Sequence, residues 1–255
     1  MRPFLAACQL QLRLSARIPD DLMVLATVPL YTVMFLWMVK YAGRLDLLGY
    51  ALLAPVLIAL WAMALFVSGE IVERDRAAQV LESLLVTPTA FPLVVFARIT
   101  TVTVCGLGAF LEVLVVSRLV FGVTLSIRHP GVFFLTLAAT TLAMAGTALI
   151  MSAIFVLQRG ARIFQNSLSY PFYVLGGVLV PTAYLPSWLR PITQVVFLSW
   201  ASDLLRDSLL SRPVGAVPFR VGMILGLGVG SLVLGWLLLN RLVTRARGLG
   251  TVAMA

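Results

Sequence analysis

Six apolar stretches, each long enough to cross a bilayer as a helix, recur along the 255 residues, and the charged residues collect between them. A helical crossing needs about 20 apolar residues. Asp21–Val39, Leu47–Ser68, Leu93–Leu125, Gly131–Leu157, Ile163–Pro181 and Val217–Asn240 reach that length. Composition points the same way: with 61% hydrophobic and 11% charged residues and a mean hydropathy of +1.03, a soluble domain would have too little polar surface. The longest stretches outside the spans, Glu70–Pro92 and Thr182–Ala216, are too short for a separate catalytic module. The expectation is an all-α integral membrane protein, one domain over residues 1–255, with six transmembrane helices.

The net charge of +9 would suggest nucleic acid in a soluble protein, but here the positions of the basic residues matter more than their sum. Arg13 and Arg17 precede the first span, Arg74 and Arg76 follow the second, Arg159 and Arg162 the fourth, and Arg241 and Arg245 the sixth. Basic residues at span ends favour the cytoplasmic side, which places both termini in the cytoplasm and predicts no nucleic-acid partner. Cys8 and Cys105 sit in a cytoplasmic segment and inside a span, so no disulfide framework is indicated. Phe4–Ile18 carries Leu5, Cys8, Leu12 and Ile18 on one side and Arg13 and Arg17 elsewhere, a pattern that suits an interfacial helix on membrane lipid or a frayed terminus.

The densest mixed charge lies between the second and third spans. Ile71, Ala78, Leu81 and Leu85 recur at near-heptad spacing, Glu70, Glu73 and Arg76 fall on another face, and Pro88 and Pro92 end the pattern. An amphipathic cytoplasmic helix facing a soluble partner and a solvated connecting loop both fit this spacing. Inside the third span, Glu112 is an ionisable group in hydrocarbon, where exposure costs about 2.5–3.5 kcal/mol, so it must face protein or water. Six residues put Arg118 about 240° round the helix from Glu112, which excludes an in-helix pair.

In the fifth span Gln165, Asn166, Ser169 and Tyr173 form one polar stripe, either an interhelical hydrogen-bond seam or part of a substrate route. Pro181, Pro186 and Pro191 punctuate the segment beyond it. There the short run around Trp188, Leu189 and Ile192 is expected to dip into the outer leaflet as a re-entrant helix pair. Asp203, Arg206 and Asp207 stand at adjacent turns and can pair locally. Gly222, Gly226 and Gly230 repeat every four residues of the sixth span, a register expected to mediate close helix packing.

Lys40 is the sole lysine and follows no glycine-rich loop, so this chain cannot build a P-loop and is not expected to be an enzyme or to bind a cofactor itself. His129 is the sole histidine and lacks the companions that a metal site or a nucleophilic relay requires.

Glu70, Glu73, Arg74, Leu81, Glu82, Leu84, Leu85, Thr87 and Pro88 after the second span, with Gly176, Gly177, Pro181, Leu185, Pro186, Trp188, Leu189, Pro191 and the run Ser199–Arg206, resemble the permease subunits of ABC type-2 exporters. The resemblance covers essentially the whole chain. It implies a dimer or pseudo-dimer with a second permease, identical or homologous, and two cytoplasmic ATP-binding-cassette subunits that hold the ATP and magnesium. It implies a coupling helix bearing Glu70, Glu73, Arg74, Arg76, Leu81, Leu84 and Leu85, and an outer gate at Leu185, Trp188, Leu189 and Ile192. It also implies a path between the first, second and fifth spans that includes Tyr31, Gln165, Asn166, Ser169 and Tyr173. Where family members often carry glycine soon after the arginine, this chain has Asp75, Arg76 and Ala77. The expected function is export of an amphiphilic drug, lipid or lipid-linked glycan from a bacterial cytoplasmic membrane. A proton-coupled carrier using Glu112 and a non-transporting scaffold are the alternatives.

Overall fold

The structure, a computed structural model, describes residues 2–17, 23–79, 90–157 and 161–249. Among them the regular elements are helical: α1 (Arg2–Arg17), α2 (Met23–Ala26), α3 (Val28–Tyr41), α4 (Leu48–Ala77), α5 (Phe91–Cys105), α6 (Gly108–Phe121), α7 (Pro130–Leu157), α8 (Ala161–Leu175), α9 (Arg190–Val195), α10 (Phe197–Asp207) and α11 (Val217–Leu249). Five segments are long and apolar enough to cross a membrane: Met23–Tyr41, Leu45–Leu65, Phe91–Phe121, Pro130–Ile154 and Val217–Arg245.

The expected fifth span, Ile163–Pro181, is the exception. Its helix α8 has 15 residues and stops at Leu175, giving about 22 Å of rise against a core of about 30 Å. Gly177 ends it, with φ +64°, a left-handed turn that side chains disfavour, and the Val178 amide folds back onto the Tyr173 carbonyl at 2.9 Å. The six-span expectation therefore reduces to five helices of spanning length among the described residues, plus this shorter one. Two short helices, α9 and α10, joined at Val196, occupy the segment expected to be re-entrant.

α4 organises the rest. Between Ala51 and Leu65 nearly every side chain is buried, as expected of a helix apolar on all sides. It packs against α3, α5, α6, α7, α8 and α10. The helix runs unbroken from Leu48 through Ala77, so Glu70–Ala77 extends the second span instead of starting a separate helix. The third span is divided at Gly106, where an added Cβ would lie 3.3 Å from both Leu60 and Met63 of α4.

α7 and α11 form the broadest helix pair, and glycines set their separation. A Cβ on Gly228 would sit 2.6 Å from that of Ala143, and one on Gly146 would sit 2.6 Å from the Gly228 carbonyl. Gly235 lies against Leu149 and Ile150 in the same way. The glycines singled out from sequence, Gly222, Gly226 and Gly230, meet nothing within 4 Å, because that four-residue register lies on the other side of α11. The close-packing expectation for those three is corrected to Gly228 and Gly235.

Threonine and serine hydroxyls inside the helices satisfy themselves locally. Thr32, Thr101, Thr103, Thr136, Thr140, Thr141 and Thr147 each donate to the carbonyl four residues earlier. This removes the need for water in the apolar interior. His129, on the loop before α7, bonds through its ring Nε2 to the Arg212 carbonyl at 3.1 Å, fastening that loop to the one before α11.

Candidate functional site

Three of the residues expected along the path come together. Tyr31 of α3 and Ser169 and Tyr173 of α8 line a cavity of about 570 Å³, closed by Met23, Val24, Thr27, Val28, Met34 and Phe35 on one side and by Ile58, Ala59 and Ala62 of α4 on another. The four-residue spacing of Ser169 and Tyr173 points both inward, where each is buried. Tyr173 donates its hydroxyl to the Ile58 carbonyl at 3.4 Å, linking α8 to α4 across the cavity wall. Trp61 and Phe172 stack 4.5 Å apart between the same two helices. Among the described residues no charged side chain lines this cavity, and the lining they form is apolar surface with tyrosine and hydroxyl groups. Gln165 and Asn166 lie in the first turns of α8, and their side chains fall outside what the structure describes.

At one end of α4 a polar node joins three elements. Arg98 of α5, its side chain 4% exposed, donates to the Asp75 carboxylate at 2.6 Å and to Gln11 Oε1 of α1 at 2.9 Å. The Cys8 thiol, one turn earlier on α1, reaches the Ala97 carbonyl at 3.7 Å, and Phe4 lies beside Phe96. The amphipathic helix α1 is thus bound to α5 along one face, and the α4 extension is bound to both through a single guanidinium. A buried guanidinium is tolerated only when its donors are matched in this way. Arg74 is half-buried beside this node. The side chains of Glu70, Glu73 and Arg76 are not described, and Leu81, Leu84 and Leu85 lie outside the described residues.

The opposite end of α4 holds a second polar node. Arg206 of α10 lies 3.6 Å over the Tyr50 ring, pairs with Asp203 at 3.2 Å, and donates to the carbonyls of Gly177 and Val178. Asp207 receives Arg220 of α11 at 2.6 Å and Arg212 at 2.8 Å. These groups border an open cavity of about 690 Å³ between the start of α4, α10 and α11. Burial pushes the Asp203 carboxyl above its ordinary range, opposed by Arg206 and Arg220, and lowers the Arg206 guanidinium, opposed by Asp203 and Asp207. Burial also acts to raise Asp207, but the hydrogen bonds from Arg220 and Arg212 outweigh it and leave that carboxyl below its ordinary range.

The residues expected at the outer gate occupy the segment before and within α9: Leu185 is buried, Leu189 half-buried, Ile192 exposed and Trp188 70% exposed. Glu112 sits midway along α6, and its carboxylate Oε2 is buried with no hydrogen-bond partner among the described residues. Sequence reasoning missed the two nodes as units. Asp75 and Arg98 are 23 positions apart, and Tyr50 and Arg206 still further, so no local spacing joins them. A lone arginine near a span end was the available signal.

Neither curated proteins nor solved structures provide a match to this chain. A family model described as ABC-2 type transporter matches residues 22–210, a stretch that begins before α2, ends after α10 and contains the residues lining the cavity, with Tyr50, Asp203, Arg206 and Asp207 of the α10 node but not Arg212 or Arg220. The chain belongs to the ABC-2 type transporter family and is a membrane domain of that kind.

Proposed function

We propose that this chain is the permease of an ABC exporter, carrying an amphiphilic molecule (a drug, a lipid or a lipid-linked glycan) out of a bacterial cytoplasm. ATP and magnesium are held, and ATP hydrolysed, on separate ATP-binding-cassette subunits. The observation that carries this is the cavity between α3, α4 and α8, where the described lining is apolar with hydroxyls from Tyr31, Ser169 and Tyr173. Such a lining suits a molecule with a large apolar part and a few hydrogen-bonding groups. The α3 flank of the cavity exposes Leu30, Met34, Trp37 and Met38, a surface suited to lipid and to a second permease, identical or homologous.

In this scheme the α1 end is cytoplasmic. The coupling segment, with Glu70, Glu73, Arg74, Arg76, Leu81, Leu84 and Leu85, seats in the ATPase, and α9 with Leu185, Trp188, Leu189 and Ile192 gates the other face. ATP binding biases two arrangements of α3, α4 and α8 around the cavity. Co-expression with the ATPase subunit tests this. Exchanging the charges in Glu73→Arg with Arg74→Glu abolishes transport-coupled ATPase stimulation while the protein stays in the membrane, and stimulation that survives intact removes the coupling assignment.

A proton-coupled carrier is the second reading, favoured by the buried Glu112 Oε2, which has no hydrogen-bond partner among the described residues. In proteoliposomes it predicts that collapse of the proton gradient and Glu112→Gln each stop transport. Transport that needs ATP and tolerates both changes excludes it.

A further inference from the structure

Two of the helices that wall the cavity, α4 and α8, are both reached from α10 by one polar side chain, Arg206. Its guanidinium lies against Tyr50, two turns before Ile58 on α4, and donates to Gly177 and Val178, the turn that ends α8 and leads to the cavity residue Leu179. Helix ends leave carbonyls without intrahelical partners, and here α10 supplies the donors. Ser202, one turn before Arg206, adds its hydroxyl to the Gly176 carbonyl at 2.7 Å. Leu198, a further turn back, leaves no room at Gly176, where an added Cβ would lie 2.7 Å from the leucine Cδ2. The face of α10 formed by Leu198, Ser202 and Arg206 is therefore fitted to the turn at the end of α8.

The guanidinium Nε is buried with no hydrogen-bond partner among the described residues. Arg206 already borders the charged cavity through its pair with Asp203 at 3.2 Å, and Asp207 lies on the same lining, so carboxylate acceptors are at hand if it leaves the 177–178 carbonyls. The closed attachment is thus not the sole favourable one for this side chain.

We propose that Arg206 is a positioning residue that holds the α10 end of the α3–α4–α8 cavity closed, and that passage toward that face requires its release from the 177–178 carbonyls. This rests on the cavity being the transport path, but the test reads access and needs neither substrate nor ATP. In a background with Cys8→Ala and Cys105→Ala, Ser169→Cys places a single thiol inside the cavity. A membrane-impermeant maleimide is applied from the α10 face of oriented vesicles.

Arg206→Met, which keeps the bulk and removes every donor, is expected to speed labelling of that thiol by about tenfold or more, the shift that loss of charge-assisted hydrogen bonds gives a closed–open equilibrium. Arg206→Lys falls between, since an ammonium cannot serve two carbonyls and stack on Tyr50 together. Ser202→Ala, a milder change that keeps the fold, gives a smaller increase of a few fold, and it carries the test if Arg206→Met does not accumulate. Arg220→Met breaks a neighbouring ion pair that touches neither α4 nor α8 and leaves the rate unchanged. Equal rates for wild type and both Arg206→Met and Ser202→Ala overturn the proposal, as does equal acceleration by Arg220→Met, which would indicate general loosening. If labelling shifts as expected while ATP-driven transport cannot be found, the closure stands and the export reading falls.

Discussion

Arg98 and Asp75 meet at 2.6 Å in the least exposed ion pair among the described residues, and through it α5 grips the last turn of α4. Because Gln11 takes a second guanidinium donor, the same contact sets the position of α1. Breaking a buried pair by removing one partner leaves an uncompensated charge and costs about 3–5 kcal/mol. Arg98→Met together with Asp75→Asn is therefore expected to be more stable than Asp75→Asn alone, measured by thermal unfolding in detergent. With Cys105→Ala as background, Arg98→Met also raises the thiol reactivity of Cys8 as α1 loosens from α5.

The α7–α11 interface discriminates between glycines of one helix. Gly228→Ala forces a methyl group to within 2.6 Å of the Ala143 Cβ and is expected to cost about 1–3 kcal/mol through helix displacement. Gly226→Ala places its methyl group in open space and instead stabilises α11 slightly, by about 0.5–1 kcal/mol of backbone entropy. Unfolding temperatures of the two variants in one detergent decide the matter, and equal losses would contradict the packing described.

Blocking the cavity should separate transport from assembly. Ser169→Trp fills the space beside Tyr173 and is expected to abolish export in reconstituted vesicles while ATPase subunits still co-purify. Tyr173→Phe removes only the hydroxyl bonded to the Ile58 carbonyl and costs about 1 kcal/mol of stability, read as a lower unfolding temperature.

Acid should weaken the α10–α11 junction. Asp207 is held below its ordinary range in the folded chain, so its ion pairs contribute fully above the unfolded carboxylate value of about 3.9 and are lost as pH falls through the lower folded one. Asp203 is raised, so the opposite holds, and protonation relieves its burial as pH falls through that raised value. Asp207→Asn is expected to cost about 2 kcal/mol near pH 7, a difference that shrinks as pH falls below the unfolded carboxylate value and vanishes once it passes the lowered folded one. Unfolding temperatures across that range give the comparison.

Much of the architecture is legible in hydrophobic run length, because a bilayer imposes a minimum that few other folds meet. The inward face of α8 is legible for a related reason: Ser169 and Tyr173 are one turn apart and polar in an apolar helix. What escapes is settled by partners distant in sequence. Which glycines of α11 are crowded depends on Ala143 and Leu149 of α7, and a four-residue repeat is present whether or not a neighbour occupies that side. The early end of α8 depends on the left-handed turn at Gly177 and on donors from α10, none of which a hydropathy average registers. Asp75 is explained by Arg98, a partner 23 positions away.

From Tyr50 to Asp75, α4 rises about 37 Å without a break, with Pro55 as its one interior weak point. A beam of that length cannot shift at one tip and stay still at the other. Any shove delivered beside Ala77 must reappear as tilt beneath Arg206, or else as a bend at Pro55.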